Sequence, residues 1–121
     1  MSCFFQIGED DVWNPANLVA RTFHAEVLAL EKVFEVPSGL GPITDDECRI
    51  DNRDFTPFVA TLLREYQKTN HTVLRSLLEG VIGVGLVLLE RAGGSDIPSL
   101  KNPGEFWEER RRSLSRRMTR G

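Results

Sequence analysis

Residues 73–91 read VLRSLLEGVIGVGLVLLER and contain the longest apolar run of the chain. Apolar residues recur there at helical spacing, and Gly93-Gly94 follows as a stop signal, so the stretch predicts a core helix. Three glycines inside it, Gly80, Gly83 and Gly85, predict close packing against another helix, within the chain or across a dimer. The predicted apolar face comprises Leu74, Leu77, Leu78, Val81, Gly85 and Leu88.

Residues 55–69, immediately upstream, predict a second core helix. Asp54 is its expected N-cap, because this start places Pro57 in the first turn, where the missing amide costs nothing. A cap at Asp51 would place Pro57 too deep in the helix. The polar residues 67–72 separate the two helices and favour an antiparallel pair, with a single bent helix as the open alternative.

Two elements are expected before this pair. Residues 1–13 predict a β-hairpin, because short apolar strands flank a polar turn that contains glycine. Asn14-Pro15 predicts the start of a third core helix over 15–35, since asparagine caps free amides and proline in the first turn loses no hydrogen bond. The proline- and glycine-rich residues 37–42 end that helix, and a short strand at 48–50 is left open. The apolar stripe of this helix is Val19, Phe23, Val27, Leu30 and Phe34.

The charges are distributed unevenly along the chain. Residues 110–121 carry six arginines and no acidic side chain, a charge of +6, whereas the rest of the chain carries −9, which gives the net −3. A basic C-terminal helix is expected over 104–118, with an apolar edge so thin that the helix must dock on something. The basic tail comprises Arg110, Arg111, Arg112, Arg116, Arg117 and Arg120.

These elements predict a helix-dominated α+β fold, an N-terminal β-hairpin packed on a three- to four-helix bundle. A length of 121 residues suits a single domain over 1–121. The longest apolar run covers about half of the roughly 20 residues that a membrane-spanning helix needs, and the N-terminus lacks the pattern of a signal peptide. We therefore expect a cytoplasmic protein without membrane contact, whose Cys3 and Cys48 are reduced.

Candidate site residues cluster around the acidic segment 45–51 and the hairpin. They could line a pocket or form a partner epitope, and they are Asp11, Trp13, His24, Glu47, Cys48 and Asp51. A Cys48 nucleophile would need a base such as His24 or His71 nearby, and a buried structural cysteine is the favoured interpretation. The acidic residues and histidines lack any metal-ligand spacing, so we expect no metal, no cofactor and no catalytic residue.

Three segments carry a resemblance to known proteins: Val12-Trp13-Asn14-Pro15, residues 37–42, and Glu47-Cys48-Arg49-Ile50-Asp51. Together they resemble a family of small actinobacterial proteins of similar length, a domain of unknown function. The resemblance implies neither an activity nor a catalytic residue, and it lowers the weight of well-known enzyme families.

The leading functional hypothesis is a soluble, non-catalytic protein-interaction module: an adaptor, a regulator or a toxin-neutralising partner. We expect a homodimer whose acidic body engages a basic protein surface. The first alternative is a small-molecule-binding protein or minor enzyme with a pocket between hairpin and helices. The second is nucleic-acid binding through the arginine tail, which is disfavoured because the acidic body repels phosphate.

Overall fold

The computed structural model describes residues 1–120. Its elements are β1 (Phe4–Ile7), β2 (Asp10–Trp13), α1 (Asn17–Phe34), β3 (Glu47–Ile50), α2 (Asn52–Lys68), α3 (Thr72–Arg91), α4 (Pro98–Lys101) and α5 (Glu105–Ser115). Helices hold 58% of the residues, and the hairpin with its sheet packs against α2, α3 and α5. The helix-dominated α+β fold with an N-terminal hairpin is confirmed.

The three strands form one mixed sheet in the order β2-β1-β3. Strands β1 and β2 make the predicted antiparallel hairpin, whereas β3 pairs in parallel with β1. Parallel pairing requires a crossover connection, and α1 lies in that connection. The short strand that the sequence allows at 48–50 is therefore present, and it begins one residue earlier, at Glu47.

A tight turn brings residues 40–44 back along the outer edge of β3. Thr44 and Glu47 form an antiparallel bridge across this turn. The two turn residues, Asp45 and Asp46, have φ angles of 52° and 61°. A two-residue type I′ turn requires left-handed values at both positions, and aspartate tolerates that region better than most residues. The acidic pair thus has a conformational role in closing the turn.

Helices α2 and α3 form the antiparallel pair that the polar break predicts. Close to the turn, the Arg75 guanidinium lies 4.9 Å from the centre of the Tyr66 ring. Further along, a Cβ atom built on Gly85 would lie 2.9 Å from Val59 Cγ2. Residues of α2 therefore meet residues of α3 in reverse order, which excludes a single bent helix.

The start of α1 differs from the prediction. The helix begins at Asn17, two residues after Pro15. The Pro15 carbonyl accepts a hydrogen bond from the Cys3 N–H at 3.0 Å, and the Asn14 N–H donates to the Thr119 carbonyl at 2.7 Å. Asn14 and Pro15 lie between β2 and α1 and do not cap a helix, because segments near the two ends of the chain take up their backbone groups.

The N-cap of α2 is Asp51, so the choice of Asp54 was wrong. The Asp51 carboxylate accepts a hydrogen bond from the Arg53 N–H at 3.0 Å, and the Asp51 N–H donates to the Gly39 carbonyl at 2.8 Å. Pro57 consequently lies in the sixth position of the helix. Pro57 and Arg53 are both exposed, so water can satisfy the Arg53 carbonyl that has no helical partner.

Helix α5 docks on α3 of its own chain. A Cβ atom built on Gly83 would lie 2.8 Å from Leu114 Cδ1, so the two helices are in close contact at this glycine. Trp107, on α5, is 4% exposed and packs edge-on against Tyr66 with ring centres 5.1 Å apart. The helix ends at Ser115 and not at 118, because the last residues turn away to run beside β2.

Helix α3 is long and apolar enough to span a bilayer by length and composition, with a mean hydropathy of 1.9. Half of that stretch is buried against the rest of the protein. Core helices of soluble proteins give the same signal, so the property alone is a weak indication of a membrane.

The guanidinium of Arg91, at the end of α3, joins the hairpin to the C-terminal segment. It donates to the carbonyls of Val12 at 2.8 Å, Ser115 at 3.1 Å and Met118 at 2.7 Å. Burial lowers the pKa of Arg91 from its usual value, and the nearby positive charge of Arg120 lowers it further. Three segments distant in sequence therefore depend on one side chain that no sequence motif singled out.

Replacing Arg91 with methionine keeps the apolar stem of the side chain but removes all donors to these carbonyls. We expect the free energy of unfolding to fall by about 2–3 kcal/mol, because partly buried carbonyls lose hydrogen bonds from a charged donor. The control is Arg64→Met, since Arg64 is exposed and bonds only the Thr61 hydroxyl. Equal losses in urea denaturation of the two variants would contradict the clamping role of Arg91.

Candidate functional site

Asp11 and Glu47 meet on the polar face of the sheet. The side-chain amide of Gln6, on the central strand, donates to Asp11 Oδ1 at 2.9 Å and to Glu47 Oε2 at 3.3 Å. Both carboxylates are exposed. Among residues 1–120, no group of three or more His, Cys, Asp or Glu side chains is arranged to hold a metal ion.

His24 and Cys48 converge on the same backbone carbonyl. His24 Nε2 lies 2.8 Å from the Gly41 oxygen, and Cys48 Sγ donates to that oxygen at 3.4 Å. Because a carbonyl only accepts hydrogen bonds, Nε2 must carry a proton and is not free to act as a base toward the thiol. The two residues anchor the 37–42 loop and do not form a nucleophile–base pair.

The thiol of Cys48 is also protected chemically. Cys48 is fully buried, and burial raises its pKa to about 12, with a smaller contribution from nearby Cys3. Burial also raises the pKa of Cys3, which the negative charges of Asp46 and Glu47 raise further. Both cysteines are free and buried, so each is a protonated thiol at neutral pH, the unreactive form.

Trp13 and Asp51 complete the set of sequence candidates and lie apart from the others. Trp13 stacks on Phe5 with ring centres 5.2 Å apart and meets Phe23 edge-on at 5.5 Å. Asp51 caps α2, and its carboxylate pairs with Arg53 at 3.1 Å. The six candidates therefore do not converge on one pocket: two lie on the polar sheet face, two hold a loop, one caps a helix and one belongs to the aromatic core.

A groove that sequence reasoning missed runs between α1, α3 and the C-terminal segment. Its volume is about 510 Å³, within the range of ligand and peptide sites. Gly80 and Val84 of α3 line it. Residues of α1 form one wall, and Leu114, Arg117 and Met118 form the other. The lining is almost entirely apolar, and two of the sequence candidates reach it: Trp13 from the hairpin and Arg117 from the basic tail.

Exposed apolar side chains continue the groove along both helices. Leu18 and Val19 of α1 are 68% and 48% exposed, and Val73 and Leu77 of α3 are 60% and 72% exposed. Val19 and Leu77 belong to the predicted apolar faces of their helices and are nevertheless exposed, because the apolar arc of each helix is wider than the surface that covers it. We call this surface the α1–α3 face, defined by Leu18, Val19, Val73, Leu77, Gly80 and Val84.

A second cavity, of about 480 Å³, lies where α3 ends and α4 begins. It is lined by charged groups of both signs, among them Arg111 and Glu90. Arg111 Nε lies 3.4 Å from a Glu90 carboxylate oxygen, and Arg111 also pairs with Glu108. The guanidinium is thus already neutralised from within the chain, which leaves little charge for an anionic ligand.

The arginine tail divides into a paired part and an exposed part. Arg110 lies 3.6 Å from Glu79 and covers the ring of Phe106, and Arg111 is paired as described. Arg112, Arg116 and Arg117 are exposed. Two of the tail arginines therefore bind acidic groups on the protein itself, so less positive charge remains for a polyanion than the sequence suggests.

A family model for proteins of unknown function, DUF6086, matches residues 1–120. The chain belongs to the DUF6086 family. Searches of the curated proteins and of the solved structures give no match. Membership in DUF6086 carries no activity, so a function for this member has to be argued from its surfaces.

The cysteines of this DUF6086 protein should not react with iodoacetamide near neutral pH while the chain is folded. Burial raises both thiol pKa values, so the thiolate that would attack is scarce. Mass spectrometry should find both thiols labelled only after unfolding in urea. Rapid labelling of Cys48 in the folded protein would contradict its structural role.

Asp51→Ala should lower the melting temperature by a few degrees, because α2 loses its cap. Asp51→Asn should lower the melting temperature less, since asparagine also caps helices. The control is Glu47→Ala, at an exposed position. Hydrogen bonds from Arg53 lower the pKa of Asp51, so its ionised form is favoured in the folded state. This stabilisation is present above the ordinary carboxyl range and is lost as pH falls through the lowered pKa.

The advantage of wild type over Asp51→Asn in thermal unfolding should therefore shrink in acid. An Asp51→Ala protein that melts at the wild-type temperature would refute the capping role and leave Asp51 as a surface epitope residue.

Proposed function

We propose that this DUF6086 protein is a non-catalytic protein-interaction module that acts as a homodimer through its α1–α3 face. The observation that carries the proposal is the exposed apolar surface next to the groove, where Leu18, Val19, Val73 and Leu77 are each about half to three-quarters exposed. Contiguous exposed apolar surface is costly in water and is typical of interaction sites. Covering large aliphatic side chains fully contributes about 1.5–3 kcal/mol each.

The charges at the groove favour a second copy of the chain as the occupant. Glu26 lies on the α1 wall, and Arg117 lies on the opposite wall. A two-fold axis along the groove places the α1 wall of each copy against the C-terminal wall of the other copy. Glu26 would then face the partner's Arg117, and Arg117 would face the partner's Glu26. The face is thus complementary to itself, as a two-fold interface requires.

The family match assigns no activity, and the arrangement of the candidate residues supports a non-catalytic role. His24 and Cys48 both bond to the Gly41 carbonyl. The exposed carboxylates around Asp11 and Glu47 would be available to a basic protein partner, in keeping with an adaptor, a regulator or a toxin-neutralising protein.

We also propose a cytoplasmic location and an actinobacterial origin. The chain has twelve arginines and three lysines, a ratio that suits GC-rich coding.

Two other functions are weaker candidates. An apolar small molecule would fit the volume of the groove, and Trp13 lines it, but the groove is open and few polar groups are there to orient a ligand. Nucleic-acid binding through the tail is disfavoured because Arg110 and Arg111 are paired with acidic side chains.

Light scattering tests the dimer. Wild-type protein should scatter at about twice 13.7 kDa at micromolar concentration. Leu77→Glu should give the monomer mass with unchanged circular dichroism, because Leu77 is exposed in the monomer and buried charge is costly in an interface. The matched control is Leu28→Glu, also apolar and partly exposed but outside the groove lining, which should remain dimeric. Wild-type protein that stays monomeric at high concentration would overturn the proposal.

A further inference from the structure

Gly80 stands apart from the other two glycines of α3. A Cβ atom at Gly83 would meet Leu114 at 2.8 Å, and one at Gly85 would meet Val59 at 2.9 Å. Contacts within the chain therefore explain both of those glycines. A Cβ atom built on Gly80 would have no neighbour within 4 Å, so the described chain contains no packing reason for glycine at this position.

Glycine in the middle of a helix is destabilising relative to alanine, because it loses more backbone freedom on folding. At Gly80 no neighbouring element within residues 1–120 packs closely enough to require glycine. The residue lies on the apolar line Val73, Leu77, Gly80, Val84, whose spacings of four, three and four place all four on one face of the helix. Val73 and Leu77 are exposed, and Val84 is partly buried. Gly80 leaves a notch in this line of apolar side chains, where α3 lines the groove.

We infer that Gly80 is the point at which α3 of one copy crosses α3 of the second copy. The inference rests on the proposed homodimer and specifies its geometry: the two-fold axis passes beside Gly80, so the two notches oppose each other and the helix backbones approach closely. In this arrangement Glu26 faces the partner's Arg117. A bulky side chain at position 80 would hold the helices further apart.

Oxidative cross-linking of Gly80→Cys tests this geometry. The substitution fits the monomer, since no atom lies near the new Cβ. A disulfide forms only where two Cα atoms come within about 7 Å of each other. The control is Gln67→Cys, exposed on α2 and away from the α1–α3 face. Under mild oxidation, we expect Gly80→Cys to give linked dimer at least about tenfold faster than the control, because the two thiols are held together.

Two results separate the possible failures. If wild-type protein is a dimer but Gly80→Cys links no faster than Gln67→Cys, the crossing at Gly80 is wrong and the homodimer stands. If wild-type protein is a monomer, the proposed function fails and this inference fails with it.

Charge exchange tests the relative orientation of the walls. Glu26→Arg and Arg117→Glu should each raise the dimer dissociation constant by about tenfold, through like charges at both ends of the interface. The double variant should recover most of that loss, since opposite charges again face each other. A double variant that is as weak as the single variants combined would overturn the placement of Glu26 against the partner's Arg117.

Discussion

Helix α3 packs against α2 at Gly85 and against α5 at Gly83, where an added Cβ atom would lie 2.9 and 2.8 Å from a neighbouring side chain. The rest of the structure depends on this double contact. It fixes the distance between the helical pair and the C-terminal helix, and it sets the position of Arg91 at the end of α3. From there the guanidinium reaches the hairpin and the last residues of the chain. Close backbone packing at one element thus orders segments from both ends of the sequence.

A second constraint acts around the loop between α1 and β3. Gly39 has a φ of +80°, and a Cβ atom there would lie 2.3 Å from the Asp51 carbonyl oxygen. The Glu31 carboxylate accepts hydrogen bonds from the N–H and hydroxyl of Ser38, at 2.7 and 2.5 Å. His24 and Cys48 both form hydrogen bonds to the Gly41 carbonyl. The loop therefore engages the polar side chains that a catalytic site would require. Residue types that suggest a catalytic site here hold a crossover loop in place.

The two sides of α3 differ in a way that bears on function. Toward α2 and α5, neighbouring side chains occupy the space beside Gly85 and Gly83. Gly80 instead faces open space, next to exposed leucine and valine side chains. A helix that is apolar on its solvent-facing side as well as on its packed side is typical of a surface that a partner covers. The sheet face is acidic and α5 carries arginines, so both suit contact with water. The exposed apolar surface does not, and it is the feature on which the proposed function rests.

Local patterns in the sequence were sufficient to place the hairpin, the three core helices and the charge asymmetry, because periodicity and helix-breaking residues act over a few positions. They could not show that β3 pairs with β1 across some forty residues, or that Arg91 joins three segments, because such contacts leave no local pattern. The N–H of the N-cap Asp51 donates to the Gly39 carbonyl, a contact with the preceding loop that no local pattern shows. Helical spacing shows which side chains share a face, as for Val19 and Leu77, but only tertiary packing decides how much of that face is covered.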